Sequence, residues 1–157
     1  MLSPQITEKI DYELTKYPAE QSQAAVMSAL RIVQTERGWL SNESMSEVAQ
    51  YLGMPEIAVM EVASFYNMYD LAPVGKYKIS VCTNISCMLR NSDEIVDHLK
   101  HKLGVEFNQV SEDGKFCLKE GECMGACGGA PLMIINNHTM HEFLTPAKVD
   151  AILDELK

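Results

Sequence analysis

Four cysteines in two close pairs carry most of the chemistry that this sequence offers: Cys82-Thr-Asn-Ile-Ser-Cys87 and Cys123-Met-Gly-Ala-Cys127. Thiolates are soft, charged ligands, and two pairs on separate loops can close on one soft metal centre. A secreted disulfide framework spreads an even set of cysteines, whereas this chain has five, four of them clustered. Cytosolic metal binding fits that usage better.

Spacing narrows the kind of centre. A Rieske centre needs His beside Cys on short spacings, and neither pair has it. Plant-type ferredoxin uses C-x4-C-x2-C, and the third member is missing. The bacterial [4Fe–4S] run of C-x2-C-x2-C is absent, and so is the C-x-x-C of a thioredoxin-type dithiol. Structural zinc stays open, because zinc pairs use two to four intervening residues. Plain buried thiols are the blandest alternative. Placement speaks for an anionic cluster. Cys82 ends a strand pattern and Cys87 falls at or just before a predicted helix start, where free N–H groups favour thiolate. The second loop, Glu120-Gly121-Glu122-Cys123-Met124-Gly125-Ala126-Cys127-Gly128-Gly129-Ala130, is rich in small residues. Glycine lets the backbone come close and takes positive φ, so N–H groups can aim at sulfur. Met124 is placed either to shield the cluster from water or to pack in the core.

Cys117 lies within a strand pattern between Phe116 and Leu118 and reads as a half-buried, unliganded thiol. His98 and His101 are three apart on a predicted helix, where an exposed polar face is the simpler reading than a shared metal. His138 and His141 fall on opposite faces of a strand-like stretch. No G-x-G-x-x-G follows a strand and no Walker loop exists, so NADH and flavin have no visible site here. No nucleophile–base pairing stands out. The chain is read as carrying electrons rather than transforming a substrate.

The elements that must hold these residues fall into two parts, 1–73 and 74–157. The first reads as helices. One is suggested by Ile6, Ile10 and Leu14. A second opens at Pro18, carries Val26, Leu30 and Val33, and stops at Gly38. A third is capped by Ser41, carries Met45, Val48 and Leu52, and stops at Gly53. A fourth opens at Pro55 with Val59, Val62 and Tyr66 on one side. After Pro73-Val74-Gly75 the period changes. Tyr77, Ile79 and Val81 alternate with Lys78, Ser80 and Cys82 as a strand. Ile95, Leu99 and Leu103 mark a helix that Gly104 stops. Strands are predicted near Glu106–Val110, Lys115–Leu118, Leu132–Ile135 and Met140–Phe143. Turn signals at Asp113-Gly114, Gly128-Gly129 and Asn136-Asn137 separate them. Thr145-Pro146 opens a last helix with Val149, Ile152, Leu153 and Leu156 inward. The expected fold class is α+β, with a mixed sheet behind an all-helical front.

Bulk properties bound the partners. The chain has 157 residues, 46% apolar, with a formal net charge of −9. Residues 1–73 carry ten Asp/Glu against four Lys/Arg, and residues 74–157 twelve against nine. Neither part offers a basic stripe, which argues against nucleic acid and anionic membranes. Residues 41–66 mimic a helix-turn-helix, but 41–70 contain no Lys or Arg to meet phosphate. A basic patch on another protein is the better partner. The N-terminus lacks the charged and apolar regions of a signal peptide, and no apolar run approaches a membrane span. Trp39 and the Phe65-Tyr66-Asn-Met-Tyr69 cluster are read as core, with partner contact as the minor alternative.

The cysteine motifs, with Glu122 before Cys123 and Gly128-Gly129-Ala130-Pro131 after Cys127, resemble the thioredoxin-like [2Fe–2S] subunit of respiratory complex I. That family is the E subunit of bacterial NADH–quinone oxidoreductase. The front is similar too: Gln34-Thr-Glu-Arg-Gly38-Trp39-Leu40-Ser41, Val48-Ala-Gln-Tyr-Leu52-Gly53 and Ala63-Ser-Phe65-Tyr66. The resemblance covers nearly the whole chain. It implies a helical N-terminal part, a thioredoxin-like C-terminal part, and Cys82, Cys87, Cys123 and Cys127 as ligands of one [2Fe–2S] cluster. Cys117 departs from the family pattern, which requires no cysteine there. The resemblance further implies a partner subunit that binds FMN and NADH, other peripheral-arm subunits, and a place on the cytoplasmic side of the inner membrane. The equivalent subunit of a soluble NAD-dependent formate dehydrogenase or hydrogenase would carry the same motifs. A free-standing ferredoxin would not need the helical front, and a zinc-bound interaction module is the remaining rival. By analogy with thioredoxin-like folds, Ala130–Pro131 is expected to be cis.

Overall fold

The computed structural model describes residues 1–156, which divide into two compact units, 1–73 and 74–156. Unit one is helical. α1 (Pro4–Leu14) starts where the Ser3 hydroxyl accepts the Ile6 N–H, and it buries Ile6 and Ile10. A 3-10 segment (Ala19–Ala25) leads into α2 (Val26–Arg37), so the helix expected from Pro18 is broken. Its first turns are tighter, Gln21 leaves helical φ/ψ, and Pro18 sits before the segment as its cap. α2 ends at Gly38, with φ 85°. α3 (Asn42–Leu52) runs from the Ser41 cap to Gly53 in the left-handed region, the ends that its sequence prescribes. α4 (Glu56–Phe65) follows, with Pro55 as the cap rather than the first helical residue. Ala25, Leu30, Val33, Leu40, Val48 and Val59 are wholly buried, and the core of this unit forms around the last five.

Unit two is a four-stranded mixed sheet with helices. β1 (Tyr77–Cys82) lies beside β2 (Phe116–Gly121) in parallel and beside β3 (Met133–Ile135) antiparallel; β4 (Thr139–His141) completes the order β2-β1-β3-β4. α5 (Ile85–Met88) is a single turn, α6 (Ser92–Leu103) crosses over to β2, and α7 (Pro146–Glu155) closes the chain. Asn136 and Asn137 both take positive φ in the three-residue turn 136–138 between β3 and β4, where the His138 N–H donates to the Ile135 carbonyl at 3.0 Å. The core joins Ile79, Val81, Leu99, Leu118 and Met133 of the sheet and α6 to Val149 and Leu153 of α7.

Two strand expectations shift. Glu106–Val110 is not a strand: its sheet pairing is one isolated antiparallel bridge, Val110 to Cys117. The reason lies in local hydrogen bonds. The Gln109 side chain accepts the Glu106 N–H at 3.0 Å and the Gln109 N–H returns to the Glu106 carbonyl, closing a turn. Asn108 takes φ 64°, which extended pairing excludes. β4 ends at His141 because Phe143 turns to φ 50°.

Candidate metal centre

β1 delivers Cys82 to its C-terminal end, where the backbone leaves the sheet. The Cys82 N–H donates to the Leu132 carbonyl at 3.1 Å, and the Thr83 N–H donates to the Gly121 carbonyl at 3.0 Å. These bonds fix the first cysteine strand against both the end of β2 and the approach to β3. The Asn84 carboxamide oxygen then accepts the Ile85 N–H, starting the one-turn α5. Cys87 is the third residue of α5 rather than a residue preceding a helix. A four-residue turn has little macrodipole, so the electrostatic support expected from a helix start is small here.

The second pair follows β2. Thr83 Oγ1 donates to the Glu120 carboxylate at 3.0 Å, linking the two cysteine loops just outside the ligand positions. Gly125 takes φ 71°, and its N–H donates to Cys123 Sγ at 3.4 Å. This is the backbone-to-sulfur bond that a glycine in the left-handed region permits. A Cβ at Gly121 would meet the Met124 methyl, the movable end of a flexible side chain, and approach the Val81 carbonyl at 3.3 Å. Met124 is therefore folded back over the end of β2, half-buried among Cys82, Cys87 and Leu132. Cys127 opens a 3-10 turn (Cys127–Gly129), followed by the cis Ala130–Pro131 bond. The segment after β4 holds this turn: the Phe143 N–H donates to the Gly129 carbonyl at 2.6 Å and the Leu144 N–H to the Pro131 carbonyl at 2.9 Å.

Cys82 and Cys87 are buried together with Ala130 and Leu132, while Cys123 and Cys127 are exposed. Burial pushes the Cys87 thiol up to about 11. The adjacent Cys82 adds to that, hydrogen bonding from the Leu132 backbone opposes it, and the charge of Cys127 reaches it as well. The structure thus buries Cys82 and Cys87 side by side and sets Cys123 and Cys127 on the loop that packs against them through Met124 and Ala126. Among the described residues no three Cys, His, Asp or Glu side chains converge on one ion position. A [2Fe–2S] cluster asks less of the protein at each iron: two thiolates on one and two on the other. The donor set and its two-and-two division fit that group.

The other candidates lie elsewhere. Cys117 is fully buried in β2, deeper than the half-buried position its pattern suggested. His98 Nε2 is paired with Asp150 of α7 at 2.9 Å, and His101 is exposed. His138 lies in the hairpin turn, and partial burial lowers the pKa of His141. Sequence reading missed the clamp from Phe143 and Leu144. Its signal is only a phenylalanine between a strand and Thr145-Pro146, and nothing local marks a positive φ there.

A helical unit joined to an α/β unit, with four thiols at one end of the sheet, makes this an α+β protein with a cysteine-rich sheet end. The family model for thioredoxin-like [2Fe–2S] ferredoxin matches residues 10–157, and the chain belongs to that family. It is 44% identical over 145 residues to the E subunit of NADH-quinone oxidoreductase from Rickettsia bellii, covering 92% of this chain and 86% of the relative. It is 38% identical over 148 residues to NADH-quinone oxidoreductase subunit 2 of Thermus thermophilus, covering 94% and 82%. A Dictyostelium discoideum relative, NADH dehydrogenase [ubiquinone] flavoprotein 2, mitochondrial, is 39% identical over 150 residues, covering 95% of this chain and 60% of its own length. The solved NAD+-reducing [NiFe]-hydrogenase shares the fold, with TM-score 0.69 at 20% identity over 81% of this chain; the match spans 22% of the hydrogenase chain. The architecture is that of the family: helices in front, then a thioredoxin-like domain with a mixed sheet.

Proposed function

We propose that this chain is an electron-transfer subunit of an NADH:quinone oxidoreductase. In this reading Cys82, Cys87, Cys123 and Cys127 hold one [2Fe–2S] cluster, which exchanges single electrons with the flavin of a partner NADH-oxidising subunit. The observation that carries the reading is the buried Cys82 and Cys87 beside the end of β1, with the Cys123–Cys127 loop packed against them through Met124 and Ala126, in a chain of this family. When bound, the cluster supplies one-electron chemistry at a potential set by its surroundings.

The protein's own residues do the rest. Cys82 and Cys87 anchor the inner side in a dry pocket, where a low dielectric strengthens every nearby dipole. Gly125 offers its N–H to the Cys123 sulfur, which favours added negative charge. Cys123 and Cys127 hold the outward side, the side from which an electron partner can come close. Ile85 and Leu89, flanking Cys87, are strongly exposed and offer apolar surface that a docked subunit would dry. In this reading NADH oxidation belongs to the flavin-bearing partner.

Among the described residues no helix is long and apolar enough to cross a membrane. We propose a place in the peripheral arm of the complex, on the cytoplasmic side, which the E-subunit relatives support. The hydrogenase likeness is one of fold and does not favour a hydrogenase or formate dehydrogenase host; co-purifying subunits separate these hosts. The test of the cluster is anaerobic purification, iron, sulfide and zinc analysis, and EPR of the reduced sample. About two irons and two sulfides per chain with a rhombic signal are expected. Zinc without sulfide overturns the proposal.

A further inference from the structure

α4 is apolar on both sides. Its inner side buries Val59 and Ala63 against α3 and α2. Its outer side carries Ile57, Met60, Glu61, Ser64 and Phe65, which share one face at i, i+3, i+4, i+7 and i+8. Ile57 is 65% exposed, Met60 41% and Phe65 80%. Just beyond the helix, Tyr66 stacks edge-on against Phe65 at 5.1 Å and is exposed as well. A helix that is apolar all round is normally covered on all sides. The outer face of α4 is thus built to be covered, and exposed aromatic and methionine side chains are what protein interfaces use.

Charge says by what. From Gly38 to Gly75 the chain has no Lys or Arg. Glu61 sits in the middle of the apolar row, one turn from Ile57 and one turn from Phe65. Among the described residues its carboxylate makes no ion pair. A second copy docked through the same face would set Glu61 against apolar side chains or against another Glu61, and a copy docked through any other face brings a net charge of −9 toward a stretch without Lys or Arg. A surface that presents a Lys or Arg inside an apolar patch satisfies both the row and its carboxylate.

We infer that the outer face of α4 is a docking site for a different protein subunit, whose basic residue pairs with Glu61 between apolar contacts to Ile57, Met60 and Phe65. This rests on the assembly part of the reading above and not on the cluster.

The test uses the assembled complex, with the photo-crosslinking amino acid p-benzoylphenylalanine placed at Met60 and, separately, at Phe65. Crosslinks to another subunit, on a peptide with Lys or Arg beside apolar residues, are expected from both positions. In parallel, E61K should lower co-purification of that subunit at least tenfold while E61Q has a smaller effect. Iron and sulfide per chain should stay unchanged, which separates loss of docking from failure of the cluster assignment. Adducts confined to this chain, no adducts, or undiminished co-purification of E61K overturns the inference. Should E61K fail to fold by circular dichroism, F65S gives the same reading without a new charge.

Discussion

Cys82, Cys87, Cys123 and Cys127 differ from Cys117 in what surrounds them. The first four lie where strands end and loops turn, and Gly125 already donates an N–H to one of their sulfurs. Cys117 is buried inside β2, near the strand end opposite to the one that leads to Cys123. Serine at any of the four positions should abolish the native EPR signal and lower iron per chain. Cys117→Ala should keep both, at a stability cost of about 1 kcal/mol read from thermal unfolding. A lost signal in Cys117→Ala means that the ligand set is wrong. A second residue-scale prediction concerns Tyr51, whose hydroxyl donates to the Asp11 carboxylate; that bond, then burial, raises its pKa to about 12. The raised value favours the neutral phenol in the folded state. The associated stability is present below the ordinary tyrosine value of about 10. It fades as pH climbs from there through about 12. Absorbance titration of tyrosinate should show one late-titrating residue that moves back down in Asp11→Asn.

At the scale of elements, ends are chosen by residues that can satisfy them. The Thr145 hydroxyl accepts the Lys148 N–H at 3.2 Å, and Pro146 fills the first position of α7, whose missing N–H costs nothing there. Thr145→Ala should destabilise unit two by about 1 kcal/mol, measured as a lowered midpoint in urea. Gly75 shows the opposite kind of constraint. It takes φ 73°, and a Cβ would meet the Gly114 carbonyl at 2.7 Å and the Lys115 carbonyl at 3.2 Å. Those neighbours are backbone and cannot swing aside. Gly75→Ala should therefore cost more than the roughly 1–2 kcal/mol of the left-handed conformation alone, and an unchanged midpoint contradicts this.

The caps, the glycine stops and the Asn136-Asn137 hairpin were legible in the sequence because each is set by local chemistry. So were the two cysteine pairs and the strand that delivers Cys82. Glu106–Val110 misleads because its apolar residues mimic a strand while Gln109 closes a turn on Glu106. Phe65 and Tyr66 read as core in the sequence and are exposed in the fold, because α4 carries apolar residues on both sides and gives little sign of which side faces in. The Phe143 clamp depends on a partner carbonyl on another loop, which no local pattern encodes.

At the scale of the whole molecule, each unit has its own core, and the cysteine site uses neither. Cys82 and Cys87 sit with Ala130 and Leu132 in a small separate cluster, flanked by Met124 and Ala126. Such a cluster has few apolar contacts with which to hold the exposed Cys123–Gly128 stretch. In the proposed reading ligation supplies much of that loop's order, since metal binding free energy adds to folding free energy where the site is not otherwise held. Removing iron with a chelator under anaerobic conditions should accordingly act locally. Amide hydrogen exchange should speed up in the Glu122–Gly129 loop and around Cys87. Amides in the middle of α2 and α3, near Leu30, Val33 and Val48, should keep their protection because the core around them contains no cysteine. Far-UV circular dichroism should change little. If exchange instead rises together across both units, the cysteine site is a keystone of the whole fold, and the separate cores do not behave as separate folding units.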